Sequence, residues 1–370
     1  MNTVLVIGDL HIKVSNLPEI DAFLNAIDEI VFNKDSKCPD MIVLLGDVLD
    51  GHERLHSMAL NKAVEVVKYF AGHTPTFVLV GNHDFYNNGI FLSEDHWMNC
   101  LKDIPNVTVV DKVIQKNNFV FVPYVQPGRF MEALSGLFPL TDIECGNSSS
   151  TPSAIFAHQE FKGSTFGAFV SEVGDDWGCA SSFPFVVSGH IHRNQMLWDG
   201  NVYYPGSAIQ HAFGESERNV VALITFDEDA KHCIQEIDLK LPQKKIIYVD
   251  VEDITEAYVE KLVGGPSTPS LIKIVIRGTA LEIATFRCSK VYRRLVTMKY
   301  KLALRPTEHD PPPTYDDVVG DMGGIGRIGA MLHDPPQIIK PFRQVMHDLI
   351  IREDDPALLD LFNSITSSSS

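Results

Sequence analysis

Five places in the chain put metal-ligating residue types directly behind a short apolar run. Asp9 and His11 follow residues 3–8, Asp47 follows 41–45, and Asn82 and His83 follow 76–80. His158 follows 154–157, and His190 and His192 follow 185–189. In an extended chain, residues two apart point to the same side, so Asp9/His11 and His190/His192 can each present a pair to one point. Carboxylate, amide and imidazole groups with few thiols suit Mn²⁺, Fe²⁺ or Zn²⁺. Eight such groups are too many for one ion and suffice for two that share a carboxylate. A lone histidine at a strand end is ordinarily a hydrogen-bonded loop residue, but five strand ends of this kind in one chain argue for a cluster. The other histidines, His52, His56, His73, His96, His211, His232, His309, His333 and His347, read as structural.

The elements that must position these groups are legible in the apolar pattern. Leu17, Ile20, Phe23, Leu24, Ile27 and Val31 recur at helical spacing, as do Ala59, Ala63, Val66, Val67 and Phe70. Helices alternating with continuous apolar strands predict an α/β fold with a mostly parallel sheet covered on both faces. Ligands then gather outside the carboxyl ends of the strands. Further strands are expected at 107–110, 119–122, 202–205, 220–226 and 234–238, closing a first domain over 1–241. A smaller α+β unit over 242–305 should contain strands at 246–251, 271–277 and 297–304 and a helix between 281 and 295. Residues 306–337 read as a Pro/Gly-rich linker and 338–366 as two short helices.

Composition bounds the class. With 45% hydrophobic and 21% charged residues, the chain is of ordinary globular make-up. No apolar run approaches the roughly 20 residues of a membrane helix, and no basic leader precedes the first strand. The expectation is an intracellular protein, cytosolic or nuclear, without a membrane partner. Its six scattered cysteines read as reduced, buried thiols. A net charge of −17 argues against nucleic acid, but residues 271–305 carry nine basic groups against one acid.

Asp9-x-His11, Gly46-Asp47-x-x-Asp50, Gly81-Asn82-His83-Asp84, His158 and Gly189-His190-x-His192 together resemble the ordered motif set of the calcineurin-like metallophosphoesterases. That resemblance implies a two-sheet sandwich flanked by helices, with a cap domain. It implies that Asp9, His11, Asp47 and His192 hold one metal ion, and that Asp47, Asn82, His158 and His190 hold the other. Manganese is the first candidate, with iron, zinc or magnesium admissible. His83 would face the substrate phosphate, while Asp50 and Asp84 would orient imidazoles and water. Cap or turn carboxylates remain the alternative for those two. Two such cations clamp the attacking and leaving oxygens of an in-line displacement at phosphorus.

The stretch 202–210, with Pro205-Gly206-Ser207, followed by Phe213-Gly214-Glu215, is similar to SbcD-type nucleases. His158-Gln159-Glu160 and the residues after it resemble the phage recombination-endonuclease branch. These likenesses imply a DNA exonuclease and endonuclease of end processing, recombination or repair. The implied partners are DNA, a second copy of the chain, and an SMC-like, SbcC-type ATPase gripped by the C-terminal helices. On one helix from Leu281, Ala284, Cys288, Val291 and Leu295 would pack inward while Arg287, Lys290 and Arg294 line a stripe suited to the DNA backbone. A solvated basic face is the plain alternative, and a small-molecule phosphodiesterase or phosphatase is the rival reading of the whole chain.

Overall fold

The computed structural model describes residues 2–33, 37–52, 54–137, 152–167, 169–177, 183–215, 218–229, 231–263, 271–298 and 300–307. The chain first lays down four parallel strands, β1 (Asn2–Ile7), β2 (Met41–Leu44), β3 (Thr76–Leu79) and β4 (Val107–Val110). Helices α1 (Leu17–Ile30) and α2 (Ser57–His73) make the first two crossovers. Their apolar stripes are the expected ones: Ile20, Phe23 and Ile27 are buried on α1, and Ala63, Val66, Val67 and Phe70 on α2.

A second sheet follows with β5 (Ile114–Lys116), β6 (Phe119–Val122), β7 (Ala154–His158), β10 (Val186–Gly189), β11 (Gln195–Leu197) and β12 (Val202–Tyr204). The short hairpin β8 (Thr165–Phe166) and β9 (Phe169–Val170) stands apart from it. Helix α3 (Phe130–Ser135) lies between β6 and β7 in sequence. The chain then returns to the first sheet with β13 (Val220–Phe226), antiparallel to β1, and β14 (His232–Asp238) at the edge. The sheet orders are β14-β13-β1-β2-β3-β4 and β11-β12-β10-β7-β6-β5.

The two sheets bury a shared layer that includes Val4, Val43, Phe77, Phe121, Phe156 and Val187. A second layer joins the first sheet to α1 and α2. Strands apolar on both faces follow from this three-layer packing. The mixed α/β sandwich expected above is thus the fold, and it collects the carboxyl ends of β1, β2, β3, β7 and β10.

A smaller lobe adds β15 (Lys244–Asp250), β16 (Leu271–Gly278) and β17 (Lys301–Pro306), all parallel. It also contains α4 (Glu256–Val263), α5 (Ala280–Arg287) and α6 (Lys290–Thr297). The single helix expected from Leu281 to Leu295 is therefore two. Thr279 caps α5, with a reciprocal bond from Glu282, and the Ser289 side chain accepts from the Tyr292 amide to start α6. The break moves the inward face to Ile283, Phe286 and Leu295, and leaves Ala284 and Cys288 exposed. Because α6 runs to Thr297, the last strand begins at Lys301 rather than 297.

Cys38, Cys100, Cys233 and Cys288 are free but exposed, which corrects the expectation of buried thiols. Cys233 lies on the outer edge strand and Cys288 at the helix break, neither of which offers cover. The sandwich and the lobe belong to one unit, Met1–Thr307. Residues 308–370, with most of the expected linker and both C-terminal helices, lie outside the described residues. Among those described, no helix is long and apolar enough to cross a membrane.

Candidate metal centre

Three of the five strand ends deliver a candidate ligand through a backbone that side chains seldom adopt. His11, Asp47 and His190 have φ of 42°, 47° and 79°. Left-handed backbone at non-glycine residues is uncommon and concentrates at functional sites. Two glycines make room beside them. A Cβ on Gly46, itself at φ +106°, would sit 2.5 Å from His158 Nδ1, and one on Gly81 would sit 2.2 Å from Asp47 Oδ1.

Asp47 lies between two groups of imidazoles. Its Oδ2 is 3.5 Å from His11 Nε2 and 3.4 Å from His158 Nε2. Its Oδ1 accepts the His83 backbone amide at 2.8 Å. On one side, His11 Nε2 faces His192 Nε2 at 3.0 Å. On the other, Asn82 Oδ1 is 3.0 Å from His158 Nε2 and 2.8 Å from His190 Nδ1. Asp9 Oδ1 accepts the His190 amide at 3.0 Å.

The outward nitrogens follow one rule. His158 Nδ1 donates to the Leu45 carbonyl at 2.7 Å. His11 Nδ1 faces Asp50 at 3.3 Å, His192 Nδ1 faces Glu215 at 3.5 Å and His190 Nε2 faces Glu160 at 3.9 Å. An imidazole held this way at one nitrogen turns its other nitrogen inward as a ligand.

These residues fit divalent cations. With Nδ1 donating to Leu45, neutral His158 has only a lone pair at Nε2, which faces the oxygens of Asn82 and Asp47. A positive charge must lie there to reconcile them. Asp9 is completely buried, and its Oδ2 has no partner among the described residues, an arrangement that is costly unless a cation completes it. Titration behaviour carries the same message. Burial alone would lower His158, but the carboxylates of Asp47 and Asp9 outweigh it and hold it up at about 9. Burial would likewise lower His11, and Asp50, Asp47 and Asp9 raise it instead. Asp47 is driven the other way, its own burial overcome by His158, His11 and His83. The pocket is thus short of positive charge.

A model of the calcineurin-like phosphoesterase family matches residues 3–194. The chain belongs to that family. Protein 078R of Invertebrate iridescent virus 3, a phosphoesterase by name, is 41% identical over 308 residues, 82% of this chain and 84% of its own. Protein 244L of Invertebrate iridescent virus 6, likewise named, is 41% identical over 296 residues, covering 78% of this chain and 98% of that one. An uncharacterized metallophosphoesterase of Campylobacter jejuni is 24% identical over 196 residues, 52% of this chain and 45% of its own.

In this calcineurin-like phosphoesterase the seven expected ligand residues come together, and the structure adds others to them. His83 joins His11 and Asp47 in one group whose ligand atoms lie within 4.8 Å of one another. Its Nδ1 donates to the Asp50 carbonyl at 3.1 Å, its ring lies 4.5 Å from that of His52, and burial lowers its pKa. Asp50 also holds Lys13 at 3.1 Å and touches the His11 ring. Asp84 is bonded to no imidazole among the described residues. It accepts from the Gly81 and Leu49 amides at 3.0 and 3.2 Å and from Trp97 Nε1 at 2.7 Å, and so ties two site loops together. Burial, with Asp47 nearby, pushes its carboxyl up to about 7.

His211, read from sequence as structural, lies against the centre. Its ring is 4.8 Å from His11 and 5.0 Å from His192. Glu160 and Glu215 belong to the sequence motifs without an expected role, and each faces a candidate ligand imidazole, His190 and His192 respectively. Arg287, Lys290 and Arg294 stand away from these contacts on the lobe, all exposed. Arg294 pairs with Glu256 at 2.8 Å and Glu260 at 3.8 Å.

Proposed function

We propose that the chain is a two-metal-dependent DNA phosphodiesterase of the SbcD type, cutting DNA as exonuclease and endonuclease together with an SMC-like ATPase. One observation carries the choice of a nucleic-acid substrate. A cavity of about 670 Å³ is lined by His52, Arg54, Tyr86, Asn87 and Asn88, and its wall residue His52 stacks on His83. Tyr86 is 61% exposed and offers a face for a base, Asn87 and Asn88 offer amides to its edge, and Arg54 offers charge to a phosphate. A nucleotide unit seated there would bring its phosphate against His83.

Charge supports the same reading. Residues 271–305 carry +8, and residues 242–270, with three lysines and five acids, bring the whole lobe to +6 on a chain of −17. Among the described residues no acid pairs with Arg287 or Lys290, whose cations are free for a phosphate backbone.

Asp9, His11, Asp47 and His192 would hold one divalent cation, and Asp47, Asn82, His158 and His190 the other. When bound, such ions supply charge neutralisation at the phosphoryl oxygens and acidify the attacking water. His83, its Nδ1–H fixed to the Asp50 carbonyl, is left with Nε2 for the substrate and would protonate the leaving oxygen from there as the imidazolium. Asp50 orients both His11 and His83, and Asp84 keeps the loops after β2 and β3 in register.

The deciding experiment incubates the chain and Mn²⁺ with linear duplex DNA, cyclic nucleotides, a chromogenic diester and a phosphomonoester. Cleavage of DNA and the chromogenic diester with little action on the monoester is expected. Preference for the cyclic nucleotide or the monoester would replace this reading with that of a small-molecule phosphoesterase. Co-purification of a coiled-coil ATPase with the full chain, lost on truncation at Pro306, tests the partnership.

A further inference from the structure

His211 follows β12, outside all the motifs that define the two cation sites. Its Nε2 lies 3.1 Å from the backbone oxygen of Asp9. A carbonyl only accepts, so the ring proton is on Nε2 and Nδ1 carries a lone pair. That Nδ1 is buried and has no partner among the described residues. His11, His192 and His211 each bring one ligand atom to within 4.8 Å of the others. The pattern repeats what is seen at His158, where one nitrogen is pinned by a carbonyl and the other is left for the centre. It resembles His11, His190 and His192, where one nitrogen faces a carboxylate.

The loop itself is held firmly. Glu215 Oε2 accepts the His211 and Ala212 amides at 2.7 and 2.9 Å, while Glu215 Oε1 faces His192. Lys244, buried at the start of the lobe, donates to the carbonyls of Gln210 and, at 3.2 Å, His211. Gln210 closes the clasp, its side chain accepting from the Lys244 amide at 2.6 Å and donating to the Lys244 carbonyl at 3.2 Å.

We propose that His211 is a further imidazole ligand of the cation site formed by Asp9, His11, Asp47 and His192. A third imidazole there favours Mn²⁺, Fe²⁺ or Zn²⁺ over Mg²⁺. The inference depends on the two-cation centre and is independent of DNA being the substrate.

Co²⁺ titration of the metal-free chain and of His211→Ala, followed by calorimetry and visible absorption, tests it. The metal-free variant loses the bond to the Asp9 carbonyl and should unfold at a slightly lower temperature than the metal-free wild type. One of its two Co²⁺ sites should weaken by about 10- to 100-fold, with altered visible bands. Two sites of unchanged affinity and an unchanged spectrum would overturn the proposal. Should His211→Ala fail to fold, Zn²⁺ titration of wild-type chain labelled with ¹⁵N-histidine decides, with His211→Gln assigning the resonance. Movement of the His211 Nδ1 signal on Zn²⁺ binding is expected, and a stationary signal would refute it.

Discussion

Both oxygens of Asp47 are engaged, one by the His83 amide and the other between His11 and His158, so the loops after β1, β2, β3 and β7 all meet at this carboxylate. His83 stands one step further out, held by Asp50 and stacked on His52. His83→Ala should therefore keep its bound Mn²⁺ while losing about 10²–10⁴ in kcat on a chromogenic diester. Parallel loss of metal would instead make His83 a ligand. That the seven expected residues come together was legible because strand-end position and residue type coincide at each of them. His211 was not, since it comes seven residues after β12 and its nearness to His11 exists only once the loop is folded back. Asp84 was legible as a site residue but not in its partners, because a carboxylate that accepts backbone amides looks in sequence like one that orients an imidazole.

At the scale of elements, the long strands of the sandwich and the two long helices followed from apolar runs and helical spacing, with strand ends within about two residues. The two- and three-residue strands β5, β8, β9 and β11 carry no such run. The lobe did not follow so well. Helical spacing was carried through Ser289, yet a serine whose side chain satisfies a free amide starts a helix as readily as it sits within one. Ser289→Ala should cost the lobe about 1 kcal/mol in urea denaturation, as removal of an N-cap usually does. An unchanged midpoint would mean that packing of Leu295 alone positions α6. The loop elements make a sharper demand. Gly81→Ala would drive its Cβ into the Asp47 side chain and amide, 2.2 and 2.4 Å away. Far-UV circular dichroism should be unaltered while Mn²⁺ binding and turnover fall together, and a fully active variant would mean that the β2 and β3 loops adjust freely.

Across the whole molecule, an acidic body carries a lobe of +6, and the charge total alone pointed away from nucleic acid. Distribution decides, because a phosphate backbone responds to a local basic surface. Arg294 is already occupied by Glu256 and Glu260, so Arg287 and Lys290 are the cations to reverse. Arg287→Glu with Lys290→Glu should weaken duplex binding and reduce its salt slope by about 2, while hydrolysis of a small chromogenic diester stays intact. An unaltered salt dependence would remove the lobe from the DNA path.

The central claim is that two cations share Asp47, and counting them tests it most directly. After Mn²⁺ loading and exhaustive dialysis, elemental analysis should find two ions per wild-type chain and none retained by Asp47→Ala. One ion in the wild type, or two in the variant with hydrolysis preserved, would contradict it.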